Sequence, residues 1–157
     1  MMKLLTLLLL FSLVSGQPAP AEPYGIARRP QPSGADFNQL LPEKVGSFRR
    51  HFFKAPQPGL DGEALYRSGS DEIFLLFSRA DNAAGVRETM QTIFTETKYE
   101  AAKGIRTVSL KTDPAYIRLV GRKIAFFAWN RELYCFSADS KDGKEAALDR
   151  FMLSFPY

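Results

Sequence analysis

Glu72-Ile73-Phe74-Leu75-Leu76-Phe77-Ser78-Arg79 is the stretch on which the fold turns. In an extended backbone successive side chains leave on opposite sides, so Ile73, Leu75 and Phe77 share one face and Phe74 and Leu76 the other. Apolar groups on both faces mark a strand inside a sheet, and the expectation is a central strand covered on both sides. Just upstream, Ser68-Gly69-Ser70-Asp71 supplies turn chemistry after the strand-like run Glu63 to Arg67, which predicts an antiparallel hairpin. Farther upstream, Gly46 to Phe53 reads as a first strand, set off by a loop containing Pro56, Pro58 and Gly59.

Downstream the period changes from two to that of a helix. Asp81 or Asn82 can cap a segment in which Val86, Met90, Ile93, Phe94 and Thr97 recur at helical spacing, ending near Lys98. After Gly104 come four strand-like runs: Ile105 to Lys111, Tyr116 to Val120, Lys123 to Trp129 and Glu132 to Ala138. Asn130-Arg131 reads as a two-residue hairpin connection, because Asn tolerates a positive φ, and it would set Trp129 opposite Glu132, Phe127 opposite Tyr134 and Ala125 opposite Phe136. Asp142-Gly143-Lys144-Glu145 has the form of a capping box, with Leu148, Phe151, Met152 and Phe155 at helical spacing behind it. The order is strands then helix, twice. Phe77-Ser78-Arg79-Ala80-Asp81 before the first helix is echoed by Phe136-Ser137-Ala138-Asp139 before the second, a match too short to separate duplication from recurring strand-to-helix chemistry.

The N-terminus has a different character. Met1, Met2 and Lys3 precede the apolar run Leu4 to Val14, followed by the small residues Ser15 and Gly16, and residues 1–16 therefore read as a secretory signal peptide. Ala19 and Ala21 offer a second cleavage pattern. Residues 17–35, crowded with proline, read as a disordered leader, and residues 36–157 as a single domain large enough to hold a core without disulfides. Asp36-Phe37-Asn38-Gln39 resembles a capping box for a short helix that Pro42 cuts off. No cysteine follows the apolar run to take a lipid, and no later segment is long and apolar enough to span a bilayer. A secreted or periplasmic location is the expectation.

Few side chains offer recognisable chemistry. His51 is the single histidine and Cys135 the single cysteine, so no internal disulfide, zinc site or Ser-His-Asp triad can be assembled from recognisable parts. Cys135 sits in the apolar run Leu133 to Phe136 and reads as a core residue. The glycines are too scattered for a phosphate loop, so no cofactor is implied. Asp71-Glu72, Glu43 and Glu63 read as solvated acids. The formal charge of +4 is dispersed, and clusters such as Arg28-Arg29 and Arg122-Lys123 are too short for a nucleic-acid tract.

The closing stretch Leu148-Asp149-Arg150-Phe151-Met152-Leu153-Ser154-Phe155 resembles the tail of PsbP-like exported domains, in which helices flank an antiparallel sheet and the chain closes on a helix ending in Ser-Phe. Leu40-Leu41-Pro42-Glu43-Lys44-Val45-Gly46-Ser47-Phe48 is similar to the start of bacterial exported domains of unknown function. Neither resemblance carries catalytic residues. The sequence thus predicts an exported α+β domain, an antiparallel sheet flanked by two principal helices. Its expected role is that of a non-enzymatic accessory module binding a protein or another envelope component through Trp129, Asn130 and Arg131 at a hairpin tip. The alternative is a small-ligand or anion binder using a sheet–helix cleft with Arg49, Arg118 or Arg122 at its mouth, and a hydrolase without a known motif ranks third.

Overall fold

The computed structural model describes residues 23–26, 29, 37–58, 60–101, 106–109 and 116–157, without the side chains of 97–101 and 106–109. The chain is an α+β fold built on one antiparallel sheet. A short helix α1 (Phe37–Leu40) leads into β1 (Lys44–Val45), β2 (Phe48–Lys54), β3 (Gly62–Ser68) and β4 (Asp71–Arg79), followed by α2 (Ala83–Ala101). The second half runs β5 (Arg106–Ser109), β6 (Tyr116–Gly121), β7 (Ile124–Arg131) and β8 (Tyr134–Ser140), and ends on α3 (Glu145–Ser154). Spatially the order is β1-β2-β3-β4-β8-β7-β6-β5, with β4 and β8 adjacent at the centre. The β3–β4 hairpin forms around Gly69, whose φ of 59° is the conformation its turn requires.

One face holds the main core. Ile73, Leu75 and Phe77 of β4, Phe136 of β8 and Phe127 and Trp129 of β7 pack there under Leu148, Phe151 and Phe155 of the α3 segment. Register makes the centre of this face an aromatic row. Gly62, Phe77, Phe136, Trp129 and Tyr116 are successive cross-strand partners from β3 to β6. The rings stack along it, Phe77 on Phe136 at 6.3 Å and Phe136 on Trp129 at 5.1 Å, while Phe53 lies parallel to Phe77 beside Gly62. Gly62 is required by that approach: a Cβ on it would lie 2.2 Å from the Phe77 ring.

Trp129 is therefore 1 % exposed, contrary to the expected partly exposed ring at a hairpin end. The cause is the turn. Arg131 pairs with Tyr134, so the connection is Glu132-Leu133 and not Asn130-Arg131, and Glu132 takes the positive φ of 49°. The Leu133 carbonyl is engaged by the Ala80 amide at 2.8 Å, which ties the tip to the end of β4. Trp129 then faces Phe136 and not Glu132. The turn moves by two residues and the pairing along β8 by four, an even number, so every side chain keeps its face.

Three further expectations are corrected. Asp142 does not cap α3: it has a φ of 59° inside a 3₁₀ turn (Lys141–Gly143), and Lys144 precedes the helix without a side-chain cap. Glycine is needed at 143, where a Cβ would meet the backbone of Lys123 and Ile124 at 2.3 Å. Next, part of the 17–35 leader is docked. Tyr24 and Ile26 are buried in the core, with the Tyr24 ring edge-on to Phe127 at 4.8 Å. Arg29 donates to the Met152 and Phe155 carbonyls at the end of α3, where a cation is favoured, and Arg131 donates to the Arg29 carbonyl. Pro-rich composition concealed these anchors. Last, β4 is central but covered on one side only, as Phe74 is 41 % exposed. Asp36 lies outside the described residues.

Val86 and Met90 of α2 pack on Ile117, Ala128 and Cys135, whose neighbours along β7 and β8 face α3. A two-fold axis through the β4–β8 pair, perpendicular to the sheet, would leave both helices on the same face. The recurring strands-then-helix order is thus not a symmetric pair of units.

Gly62→Ala should lower stability by about 1–3 kcal/mol through forced displacement of Phe77, and Trp129→Ala by about 3–5 kcal/mol, both read from denaturant midpoints. Asp71 supplies a pH test. Hydrogen bonds from Lys144 and Arg150 hold its carboxyl below the ordinary carboxylate value. A depressed carboxylate stabilises the fold above its unfolded pKa of about 3.9 and loses that contribution as pH falls through the folded value. Asp71→Asn should therefore flatten the acid limb of the stability–pH curve relative to wild type.

Candidate functional site

The two faces of the sheet are covered unequally for a reason of size. Eight strands at about 4.8 Å spacing span roughly 34 Å, whereas one helix is about 10 Å wide. On the core face α3 is supplemented by α1, β1 and the docked residues Tyr24 and Ile26. On the other face, among the described residues, α2 is the one covering element and sits over the β6–β8 side, through Ile117, Ala128 and Cys135. The β2–β4 half of that face is left open.

Cross-strand partners share a face, so the register maps this open half. Phe52, Leu65, Phe74, Asp139 and Phe126 form one row from β2 to β7. Phe52 is 47 % exposed, Phe74 is exposed, and Leu65 and Phe126 are half-buried. Arg49, paired with Arg67, stands at the margin of the same half. Exposed aromatics grouped in this way, within a domain whose other face is fully packed, mark a surface suited to contact.

Where this open half meets the flank of α2 it deepens into a cleft. Its walls are Leu76, Phe77 and Ser78 of β4, Cys135 and Ser137 of β8, Thr89, Thr92 and Ile93 of α2, and Asp61 before β3, around a cavity of about 300 Å³. Two larger hollows, of about 570 and 620 Å³, adjoin it. Leu60, Arg79 and Phe37 line one beyond Asp61, and Asn82, Glu88 and Thr89 help line another along the start of α2. Local structure positions these groups. Asn82 caps α2 by accepting from the Ala84 and Gly85 amides at 2.9 and 3.0 Å, which fixes the helix start at the end of β4. Thr89 returns its hydroxyl to the Gly85 carbonyl at 3.0 Å.

Cys135 lies on the cleft floor but is 3 % exposed, with its sulfur 3.7 Å from the Val86 carbonyl. Burial first, and the nearby Asp61 charge second, push its thiol up to about 11, against a small opposing effect of Thr89. This is the environment of a thiol held protonated and poorly nucleophilic. Among the described residues no cluster of three or more His, Cys, Asp and Glu side chains has the arrangement of a metal site. None of the described helices is long and apolar enough to cross a membrane.

The expected site residues are not brought together here. Trp129 belongs to the core face, Asn130 is half-buried opposite Cys135, and Arg131 is bound to the Arg29 carbonyl. Arg118 is also on the core face, engaged by Glu145 at 2.5 Å, Asp149 at 3.4 Å and the Tyr24 hydroxyl at 3.4 Å. Arg122 is exposed in the β6–β7 turn, far along the sheet order from Arg49 on β2. Only Arg49 borders the open half. The groups that the sequence did not single out are Asp61, Phe74, Thr89 and Asp139. Their signal was the shortage of helices: one amphipathic segment was available for a face eight strands wide.

No family model matches the chain, and neither a curated protein nor a solved structure matches it significantly.

At pH 8 the difference between a thiol near 11 and an unfolded one near 8.5 suppresses thiolate by about two orders of magnitude. Alkylation of Cys135, followed by mass spectrometry, should accordingly be at least a hundredfold slower in the folded chain than in denaturant.

Proposed function

We propose that this chain is an exported, non-enzymatic accessory module that holds a segment of another macromolecule on the open half of its sheet. The observation that carries the reading is the exposure of Phe52 and Phe74 beside Leu65 and Leu76 on the half of a face that α2 leaves uncovered among the described residues. Burying the exposed remainder of one such ring contributes about 1 kcal/mol, so the row offers a useful fraction of a binding free energy before any polar contact. Export rests on the signal-peptide pattern of residues 1–16 and places the partner in the secreted or periplasmic space. In this reading the two longer helices flank the sheet as in PsbP-like domains, with strands-then-helix order used twice. The contact surface moves from the β7–β8 hairpin tip to the β2–β4 face, because Trp129 serves the core.

A second reading, a small-ligand binder, is favoured by the cleft. Its volume of about 300 Å³ falls at the lower end of the usual range for ligand sites, and its lining mixes apolar walls with Asp61, Ser78, Thr89 and Ser137. No arginine lines this inner cavity, which directs the alternative away from anions and toward ligands that donate hydrogen bonds.

The test is affinity capture with tagged protein beginning at Gln17, using Phe74→Ser and, as an exposed apolar control outside the site, Leu153→Ser. A partner retained by wild type and Leu153→Ser but reduced at least fivefold by Phe74→Ser is the expected result. A partner set indifferent to Phe74→Ser, or no partner at all, overturns the macromolecular reading.

A further inference from the structure

The open face carries charge in a pattern that specifies its occupant. Asp139 stands in the row between Phe74 of β4 and Phe126 of β7. Its side chain has no hydrogen bond or ion pair among the described residues, and desolvation by its surroundings raises its carboxyl above the ordinary value. Asp61 lines the cleft that begins one strand pair further on, close enough to Cys135 for its charge to act on the thiol, and it too lacks a hydrogen-bonded or ionic partner among the described residues. Cys135 and Asp139 are separated along β8 by roughly 13 Å at the usual rise of a strand. Between the two acids the floor and walls are Leu76, Ser137, Thr92 and Ile93.

The neighbouring cations do not cancel this arrangement. Arg67 and Lys141 both approach Glu72 at 3.4 Å and so already have a carboxylate, while Arg49 stands on β2 at the far margin, three strands from Asp139 on β8. Arg79 lines the outer hollow with Asp61 and is absent from the inner cleft. A carboxylate set among aromatic rings gains most from a cation that arrives with its own apolar neighbours, since such a partner excludes water from the pair as it forms.

We propose that the occupant is a basic amphipathic segment of a partner protein, laid along α2 with its apolar side chains on Phe52, Phe74 and Leu76 and with Lys or Arg groups at Asp139 and Asp61. This rests on the open-face reading above. The mode is that of a groove completed by the partner: the segment occupies the space on the sheet that a further helix would otherwise cover.

A random peptide library displayed on phage and panned against the protein from Gln17 onward tests the assignment, with enriched peptides resynthesised for titration. Enriched sequences should carry Lys or Arg flanked by Leu, Phe or Met. Their Kd should rise at least tenfold with Asp139→Asn and with Asp61→Asn, and binding should be lost with Phe74→Ser. Both acids are exposed, and unchanged circular dichroism of the Asn variants shows that the fold is kept. Neutral or acidic peptides that depend on Phe74 but not on Asp139 overturn the basic occupant and leave the open-face reading standing. Enrichment of nothing that depends on Phe74 overturns both. Self-association in sedimentation experiments that vanishes with Phe74→Ser assigns the face to a second copy and overturns the partner segment.

Discussion

The row of rings from Phe77 through Phe136 to Trp129 is the constraint on which the rest of the structure depends. It joins the two halves of the chain across the central β4–β8 pair, at a place where no local connection holds them. Once those rings share a face, the two-residue period of the strands assigns every other side chain. Leu75 and Phe127 join the core, and Cys135, Ser137 and Asp139 must turn the other way. Phe155 then packs edge-on against Trp129, and Phe151 against Phe48 and Tyr66, so the row and its flanks also select where α3 lies. Gly62 extends the row to β3 by contributing space instead of a side chain.

The strands and longer helices were legible because each carries its own periodicity. Ile73, Leu75 and Phe77 announced the core face, and Val86, Met90 and Ile93 announced α2, without reference to anything distant. The β7–β8 turn shows where such reading stops. Asn130 is a better residue than Glu132 for a positive φ, yet the chain turns at Glu132-Leu133, because Trp129 gains a stacked partner in Phe136 and the Leu133 carbonyl gains the Ala80 amide. Tertiary contacts outweighed the local preference. The same holds at Asp142, whose side chain suits a cap, while Lys144 instead extends to Asp71.

The site was harder to read than the fold. Nothing within Phe74 distinguishes it from Leu75 as a buried strand residue; the difference lies in how many helices exist to cover each face and where they land. Tyr24 and Ile26 pose the converse problem, since they are core residues embedded in proline-rich surroundings that suggest a tether. In both cases the deciding quantity is an area to be covered, a property of the assembled sheet and not of any short window of sequence.

The docking of Tyr24 and Arg29 has a consequence for how the domain is made. Arg29 caps carbonyls of Met152 and Phe155, and Tyr24 donates to Asp149 at 2.5 Å, contacts that span more than a hundred residues of chain. Loops of that length close late, because their entropy cost is met before the contact repays it. A ribosome delivers Tyr24 and Arg29 well before residues 149–155. The sheet can therefore assemble progressively, but its lock engages only after α3 has emerged, leaving Tyr24 and Arg29 without these partners while the strands between are made.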